Sequence, residues 1–430
     1  MTRALRLAAT KCGLRGSVSL PPSKSLTNRA LIASAVAGRG TVVTPLDCDD
    51  TRVLAAALAD AGWPIKWGNK IEIGERIVPE DAVRLDLAES GTGSRLILAL
   101  LAASPGVSVL DGSPRLRERP MAPLIESLTK LGAGLRSDDG FLPIEINGRR
   151  LDGGSVEIKP GVSSQFVSAL VMAGPLMIRG LDLVVDGALP SAPYLDLTVD
   201  VMRAFGADLE VSEDRRRWTV APKTLARAEY GVEGDWSAAA FILAAAAVAG
   251  GEVEVGPLDP ASRQGDRAVV RILADAGLEV RWRSDLLVAS GPVVSPISAD
   301  LSQTPDLFPA LAAVAACAPP GSRFSGLDHL KHKESDRLRV MVANLEILGA
   351  EFEGSEREIE VIRTLDPGSG RTPRVTAAGD HRIAMAMAVA ALASGPIELD
   401  NPDCVSKSFP GFWSIWDGLL LGPEEEEPDR

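Results

Sequence analysis

The chain has 430 residues, a formal net charge of −13 and a sequence pI near 4.9, and 46% of its residues are hydrophobic. That charge repels polyanions and argues against nucleic acid as a partner, while the length and apolar share suit more than one core. Aromatic residues are only 4%, and the abundance of Ala, Leu and Val favours α/β layers over an all-β sandwich.

In chain order, the opening stretch MTRALRLAATKCGLRG lacks the apolar core and small-residue cleavage site of a signal peptide. No apolar run reaches the roughly 18 residues of a membrane span, so no membrane association is expected. The segment LRLAATKCGLRGSVSLPPS has no repeat partner just ahead of it and is expected to complete the sheet of the last repeat. Cys12, Cys48, Cys317 and Cys404 lie far apart with no C-x-x-C pair, which suits a reducing cytoplasm and suggests neither a zinc knuckle nor a disulfide framework.

From there two phrases alternate. The first is an alanine-rich helix, a Gly or Gly/Pro stop and a β-prone segment, as in NRALIASAVAGRGTVV, SRLILALLAASPGVSV, SQFVSALVMAGPLMIRG, AAAFILAAAAVAGGEVEV, PALAAVAACAPPGSRF and RIAMAMAVAALASGPIEL. Its stops fall near Gly38, Gly106, Gly174, Gly250, Gly321 and Gly395, a period of roughly 70 residues. The second is an amphipathic helix closed by Gly and followed by a strand, with stops at Gly62, Gly132, Gly206, Gly277 and Gly349 and a sixth copy at FWSIWDGLL, Gly418. The first helix, apolar on nearly every face, has to be buried; the second roofs a sheet.

Six repeats are too many for one core and suit two groups of three. The longest period, between Gly174 and Gly250, contains YGVEGDWS, which places a crossover near Gly234, with a second crossing at Pro21-Pro22. The expected domains are residues 1–20 with 235–430, and residues 21–234, three repeats in each, joined by a hinge where the crossings meet. The final GPEEEEPDR reads as a solvated tail.

The residues at the mouths of the buried helices carry the chemistry. They include Lys24, Ser25 and Arg29 in PPSKSLTNR, the Gly91-Thr92-Gly93 turn and Arg95 in ESGTGSR, and Ser163, Ser164 and Gln165 in GVSSQF. Asp306 lies in TPDLFP, and Asp380, His381 and Arg382 in AGDHRIAM; further cations cluster in SPRLRERP, HLKHKESDRLR and CVSKSFP. Ser and Asp cap helices ordinarily, and surface loops carry Lys and Arg. Cations at a helix N-terminus, however, are opposed by the macrodipole, so their recurrence points to a small, multiply charged anion inside an otherwise acidic shell.

The motifs KSLTNRAL, SGTGSR, PRLRERPM, VSSQF, SAPYLDLT, KESDRL, GDHRIAMA and KSFP occur in this order between about Leu14 and Phe412, and together they resemble the enolpyruvyl transferases. The resemblance implies that family's α/β fold: two domains of three βαβαββ repeats each, with buried helices whose N-termini face a central cleft. It also implies transfer of the enolpyruvyl group of phosphoenolpyruvate to the 5-hydroxyl of shikimate 3-phosphate, on the route to chorismate and the aromatic amino acids. No cofactor is implied, and a cytoplasmic monomer is expected.

By that resemblance, shikimate 3-phosphate is held by Lys24, Ser25, Arg29, Ser163, Ser164, Gln165, Ser191, Tyr194, Asp306, His329 and Lys333. Phosphoenolpyruvate is held by Lys24, Gly91, Arg115, Gln165, Arg337, Arg382 and Lys407. Arginine's planar fork takes two carboxylate or phosphate oxygens at once, and a glycine lets backbone approach closely. The reaction removes a proton from a hydroxyl and protonates a methylene carbon, then reverses that exchange as phosphate leaves. Asp306 is the candidate base, Glu334 the candidate acid, and Lys24 a third candidate for the proton work.

Three positions depart from the family's common residues: Glu89 and His329 stand where Asn is frequent, and Leu96 where Pro is. HLKH lacks a third ligand nearby and sits among cations, so no metal site is expected. The sister reading, transfer to UDP-N-acetylglucosamine, goes with a Lys-Asn pair at the first helix and a loop cysteine; here Ser25 follows Lys24 and DGSPRLRERP has no Cys. A non-catalytic anion-binding repeat protein would explain the repeats but not the company of Asp306, Lys333, Glu334 and Arg337.

Overall fold

Burial follows from composition in the longest of the apolar helices. Trp236–Ala249 is mostly alanine, with no polar face to turn outward, and every residue from Ala238 to Ala247 is buried. His381–Ser394 behaves alike, buried from His381 to Leu392. The other four first-phrase helices are Lys24–Val36, Gly91–Ala102, Gln165–Ala173 and Phe308–Ala315. The amphipathic helices bury one stripe each; Ala122–Lys130 buries Leu124, Ser127 and Leu128, and Ala268–Asp275 buries Val269, Ile272 and Leu273. Each large aliphatic side chain so buried stabilises the fold by about 1.5–3 kcal/mol.

The structure is a computed structural model and describes residues 4–7, 13–159, 161, 163–366 and 372–421. Cys12 and the acidic tail 422–430 lie outside the described residues; Cys48, Cys317 and Cys404 form no disulfide among the described residues. The chain divides into two compact units, Pro22–Glu233, and Met1–Pro21 together with Gly234–Arg430.

Within Pro22–Glu233 a single sheet plan repeats. Val83–Asp86 runs parallel beside Gly106–Asp111, which pairs antiparallel with Phe141–Gly148, which pairs antiparallel with Gly134–Asp138. The buried helix Gly91–Ala102 makes the parallel crossover and Ala122–Lys130 the second connection, so the repeat reads βαβαββ. Gly154–Ile158, Leu181–Val185, Arg217–Val220 and Leu209–Val211 follow the same order. The first repeat takes its leading strand from the far end of the unit: Glu229–Gly231 lies parallel to Gly40–Val43, with Glu229 opposite Thr41.

The other unit uses the chain's beginning in the same manner. Leu14–Ser19 lies parallel to Gly251–Gly256, and Ala4–Leu7 pairs antiparallel with Ile397–Asp400, Leu5 opposite Leu399. The leading segment therefore does complete the last repeat's sheet, and its second half also supplies the first strand of the fourth repeat.

Two of the expected glycine stops differ. Gly174 keeps a helical φ of −49°, the chain continues through the 3₁₀ turn Gly174–Leu176, and the left-handed turn falls on Gly180, φ +66°. Gly418 lies inside the helix Phe412–Leu421 and stops nothing. Gly62 shows what a true stop requires: φ is +101°, and a β-carbon there would stand 2.0 Å from the Ile77 carbonyl oxygen. No helix among the described residues is long and apolar enough to cross a membrane.

Candidate active site

In the unit formed by the two chain ends, the N-termini of two buried helices carry one ion network. Asp306 sits in the 3₁₀ turn Pro305–Leu307 that leads into Phe308–Ala315. Its carboxylate accepts from Arg337 Nη1 at 2.6 Å, Arg382 Nη2 at 3.0 Å and Lys333 Nζ at 3.3 Å. Arg382 is the second residue of His381–Ser394, and its backbone N–H is capped by Asp380 Oδ1 at 3.0 Å. Arg337 opens the helix Arg337–Ile347 and also binds Asp380 Oδ2 at 2.8 Å and Glu334 Oε2 at 2.5 Å.

Arg337 is only 1% exposed. Glu334 precedes the helix and its partner is buried, so the i,i+3 pair is no solvated surface bridge. Burial alone would lower the Arg337 pKa, but Asp380, Glu334 and Asp306 outweigh it and hold the guanidinium charged. Burial likewise favours a protonated Asp306, yet Arg382, Lys333 and Arg337 win and hold its carboxyl well below the usual range. Three cations thus face three carboxylates, Asp306, Glu334 and Asp380.

His329, 7% exposed, lies next to this network; its Nε2 has no hydrogen-bond partner among the described residues. Burial first and Lys333 second push its pKa down to about 4, so the imidazole is neutral at ordinary pH. Lys407 is buried at the end of the 3₁₀ segment Pro402–Lys407.

In Pro22–Glu233 the helix mouths are again polar. Lys24 is the first residue of Lys24–Val36, and its Nζ stands 3.0 Å from Asp50 Oδ2, in the first turn of Asp49–Asp60. One turn on, Arg29 is 1% exposed and donates to Thr198 Oγ1 at 2.9 Å, the Ser25 carbonyl at 3.0 Å and the Tyr194 carbonyl at 3.1 Å, with the Tyr194 ring 5.8 Å away. Burial lowers its pKa to about 10, still charged at neutral pH. Thr198 Oγ1 also shares a hydrogen bond with Ser168 Oγ at 2.9 Å.

The second and third buried helices meet through Gln165 Nε2, which donates to Thr92 Oγ1 at 3.0 Å. Ser163 Oγ accepts from the Gln165 backbone at 3.2 Å, and Ser164, buried, precedes the helix. Ser191, buried with φ +55°, accepts the Tyr194 N–H at 3.1 Å and so turns the chain into Pro193–Ala204.

The Arg115 side chain is 35% exposed and pairs with Glu118 at 2.8 Å. Arg119, two alternations further along SPRLRERP, is 7% exposed, and its Nη1 would stand 2.0 Å from a β-carbon placed on Gly91. Arg119 therefore adjoins Gly91; Arg115, Arg117 and Arg119 alternate in the sequence, and only the tertiary fold decides which is buried. No group of three or more His, Cys, Asp or Glu among the described residues is arranged to hold a metal ion.

The pattern of a sequence family described as EPSP synthase (3-phosphoshikimate 1-carboxyvinyltransferase) matches residues 9–416. The chain belongs to the EPSP synthase family. Relatives named 3-phosphoshikimate 1-carboxyvinyltransferase include those of Syntrophobacter fumaroxidans, 37% identical over 95% of this chain and 97% of the relative, and Methanoculleus marisnigri, 39% identical over 93% and 96%. Among solved structures, the EPSP synthase of Acinetobacter baumannii superposes with a TM-score of 0.77 at 27% identity, covering 97% of this chain and 99% of that one. The enolpyruvyl transferase NikO of Streptomyces tendae shares the fold, TM-score 0.74 at 19% identity over 97% and 98% of the two chains. As a member of the EPSP synthase family, the chain has the two-domain enolpyruvyl transferase fold.

Proposed function

We propose that this chain transfers the enolpyruvyl group of phosphoenolpyruvate to the 5-hydroxyl of shikimate 3-phosphate, giving 5-enolpyruvylshikimate 3-phosphate and phosphate. The observation that carries the reading is Asp306, a carboxylate left only 14% exposed and clasped by Arg337, Arg382 and Lys333 in a chain of this family. A group so placed stands next to cations that an anionic substrate would recruit.

In this reading the phosphoenolpyruvate anion takes Lys24, Gly91, Arg115, Gln165, Arg337, Arg382 and Lys407, and Arg119, packed over Gly91, joins that set. Losing its guanidinium partners, Asp306 gains proton affinity and accepts the proton of the 5-hydroxyl as that oxygen bonds to C2 of phosphoenolpyruvate. The methylene carbon takes a proton from Glu334 or Lys24 and becomes a methyl group. Elimination then returns a methyl proton to the protein while the C2–O bond to phosphate breaks, restoring the vinyl group and releasing phosphate. Asp50 holds the Lys24 ammonium at its helix mouth. Shikimate 3-phosphate is assigned to Lys24, Ser25, Arg29, Ser163, Ser164, Gln165, Ser191, Tyr194, Asp306, His329 and Lys333.

The test is to supply purified protein and phosphoenolpyruvate with shikimate 3-phosphate or UDP-N-acetylglucosamine in separate reactions. Phosphate release that requires shikimate 3-phosphate supports the reading; release that requires the UDP-sugar replaces it with the sister reaction, and release with neither refutes both.

A further inference from the structure

Among the described residues no carboxylate pairs with the buried Arg29. Its guanidinium donates to three acceptors, the Thr198 hydroxyl through Nε and the carbonyls of Ser25 and Tyr194 through Nη1 and Nη2. A guanidinium has five N–H groups, so one on each Nη has no acceptor among the described residues. A buried cation without a counter-ion is costly, and one held in this way is suited to an anion that arrives from outside.

A hydroxyl on another helix fixes the direction of that fork. Thr198, fully buried on Pro193–Ala204, donates its single hydroxyl hydrogen to the Tyr194 carbonyl at 3.1 Å. The same oxygen accepts the Arg29 Nε–H at 2.9 Å. With the Thr198 hydrogen spent, the 2.9 Å contact to Ser168 Oγ runs from Ser168, which is equally buried on Gln165–Ala173. One donor and two acceptor sites are then all in use, and the Thr198 oxygen is saturated. Arg29 Nη2 reaches the Tyr194 carbonyl as well, so Arg29, Thr198 and Tyr194 close a ring of hydrogen bonds. The Tyr194 ring, 5.8 Å from the guanidinium carbon, adds a cation–π contact to the enclosure.

We infer that Thr198 is a positioning residue for shikimate 3-phosphate: its hydroxyl, seated by Ser168, pins Arg29 by the Nε edge and so sets the two remaining Nη hydrogens for the phosphate group. Thr198 acts through Arg29 and through the Tyr194 carbonyl. Without the hydroxyl the Nε–H has no acceptor in a dry surrounding, and the planar fork turns to recover one. That rotation spoils a paired contact with phosphate oxygens, which depends on the plane of the fork. The inference rests on the reading of Arg29 and Tyr194 as shikimate 3-phosphate ligands.

The experiment is equilibrium binding of shikimate 3-phosphate to the full chain by calorimetry, with kcat and KM for both substrates beside it. Thr198→Val should weaken binding about tenfold and raise KM for shikimate 3-phosphate alike, with kcat and KM for phosphoenolpyruvate held within about twofold. Thr198→Ser keeps the hydroxyl and should bind as the parent does. A merely structural role would lower the urea midpoint of Thr198→Val and leave shikimate 3-phosphate binding unmoved, and that result overturns the inference; so does equal weakening in Thr198→Ser. If Thr198→Val does not fold, Ser168→Ala decides: it unseats Thr198 and should weaken binding about threefold, whereas unchanged binding overturns the inference. Arg29→Lys separates the two readings. Parental binding there removes Arg29 from the ligand set, while weakened binding beside a parental Thr198→Val removes only the role of Thr198.

Discussion

Arg119 lies so close over Gly91 that a β-carbon there would stand 2.0 Å from its Nη1 and 2.6 Å from its guanidinium carbon. Gly91 opens the helix Gly91–Ala102 without a positive φ, so the backbone itself accepts alanine. The cost of a methyl group falls on the guanidinium, which has to move. Gly91→Ala should therefore raise KM for phosphoenolpyruvate about tenfold, with little change in unfolding midpoint, measured by steady-state kinetics beside thermal denaturation.

The two arginines of the same loop make a sharper comparison. Arg119→Ala should raise KM for phosphoenolpyruvate by about 10–100-fold, the range expected for charge-assisted hydrogen bonds to an anion. Arg115→Ala, which also removes the pair with Glu118, should raise KM by a similar factor. An unchanged KM in either variant would take that arginine out of the site.

Asp306→Asn keeps the side-chain shape but leaves Lys333, Arg337 and Arg382 with one carboxylate fewer. Turnover should fall by about 10²–10⁴-fold while KM for phosphoenolpyruvate falls or holds, since the cations are less neutralised. A raised KM with normal kcat would make Asp306 a binding group alone.

Arg29 depends on Thr198. The Thr198 hydroxyl accepts from Arg29 Nε and meets Ser168 Oγ, joining three helices around a buried charge. Thr198→Val is nearly isosteric and should destabilise Pro22–Glu233 by about 1.5–3 kcal/mol in urea unfolding, the cost of stripping one acceptor from a buried cation. A change below about 0.5 kcal/mol would show that the charge is held by the backbone carbonyls of Ser25 and Tyr194.

His329, with its pKa near 4 in the fold and near 6.5 when unfolded, titrates against stability. Below about pH 6.5 the unfolded chain binds the proton and the folded one does not, so stability is lost as pH falls from there toward 4. Asp266, 3% exposed, runs the opposite way: burial raises its folded pKa to about 6, above the unfolded carboxyl value, so its favourable share is lost as pH rises through 6. That share is common to both chains when the parent is compared with His329→Gln. The parent should lose about 2 kcal/mol relative to the variant between pH 7.5 and pH 5, read from urea midpoints.

Much of this molecule is legible in its sequence because alanine-rich helices with no polar face, such as Trp236–Ala249, admit only a buried place. Most of the glycine stops are legible for a similarly local reason, a left-handed turn that other residues resist, as at Gly62 and Gly395. Gly174 and Gly418 mislead since glycine tolerates the helical region too. Lys24 raised the question of what holds a cation at a helix mouth; Asp50 is the partner within the chain, and only the packing of two helices brings it there. The part played by Thr198 was invisible because LDLTVD reads as an ordinary amphipathic helix, and the meeting with Arg29 and Ser168 is made across the fold.

The central claim is tested most directly by following phosphorus resonances while the purified chain acts on phosphoenolpyruvate and shikimate 3-phosphate. The account predicts that the phosphoenolpyruvate signal is replaced by inorganic phosphate and a new sugar-phosphate-like resonance of the enolpyruvyl product, only when both substrates are present, and that Asp306→Asn nearly abolishes the change. Phosphate formed from phosphoenolpyruvate alone, or no conversion with both substrates, would contradict it.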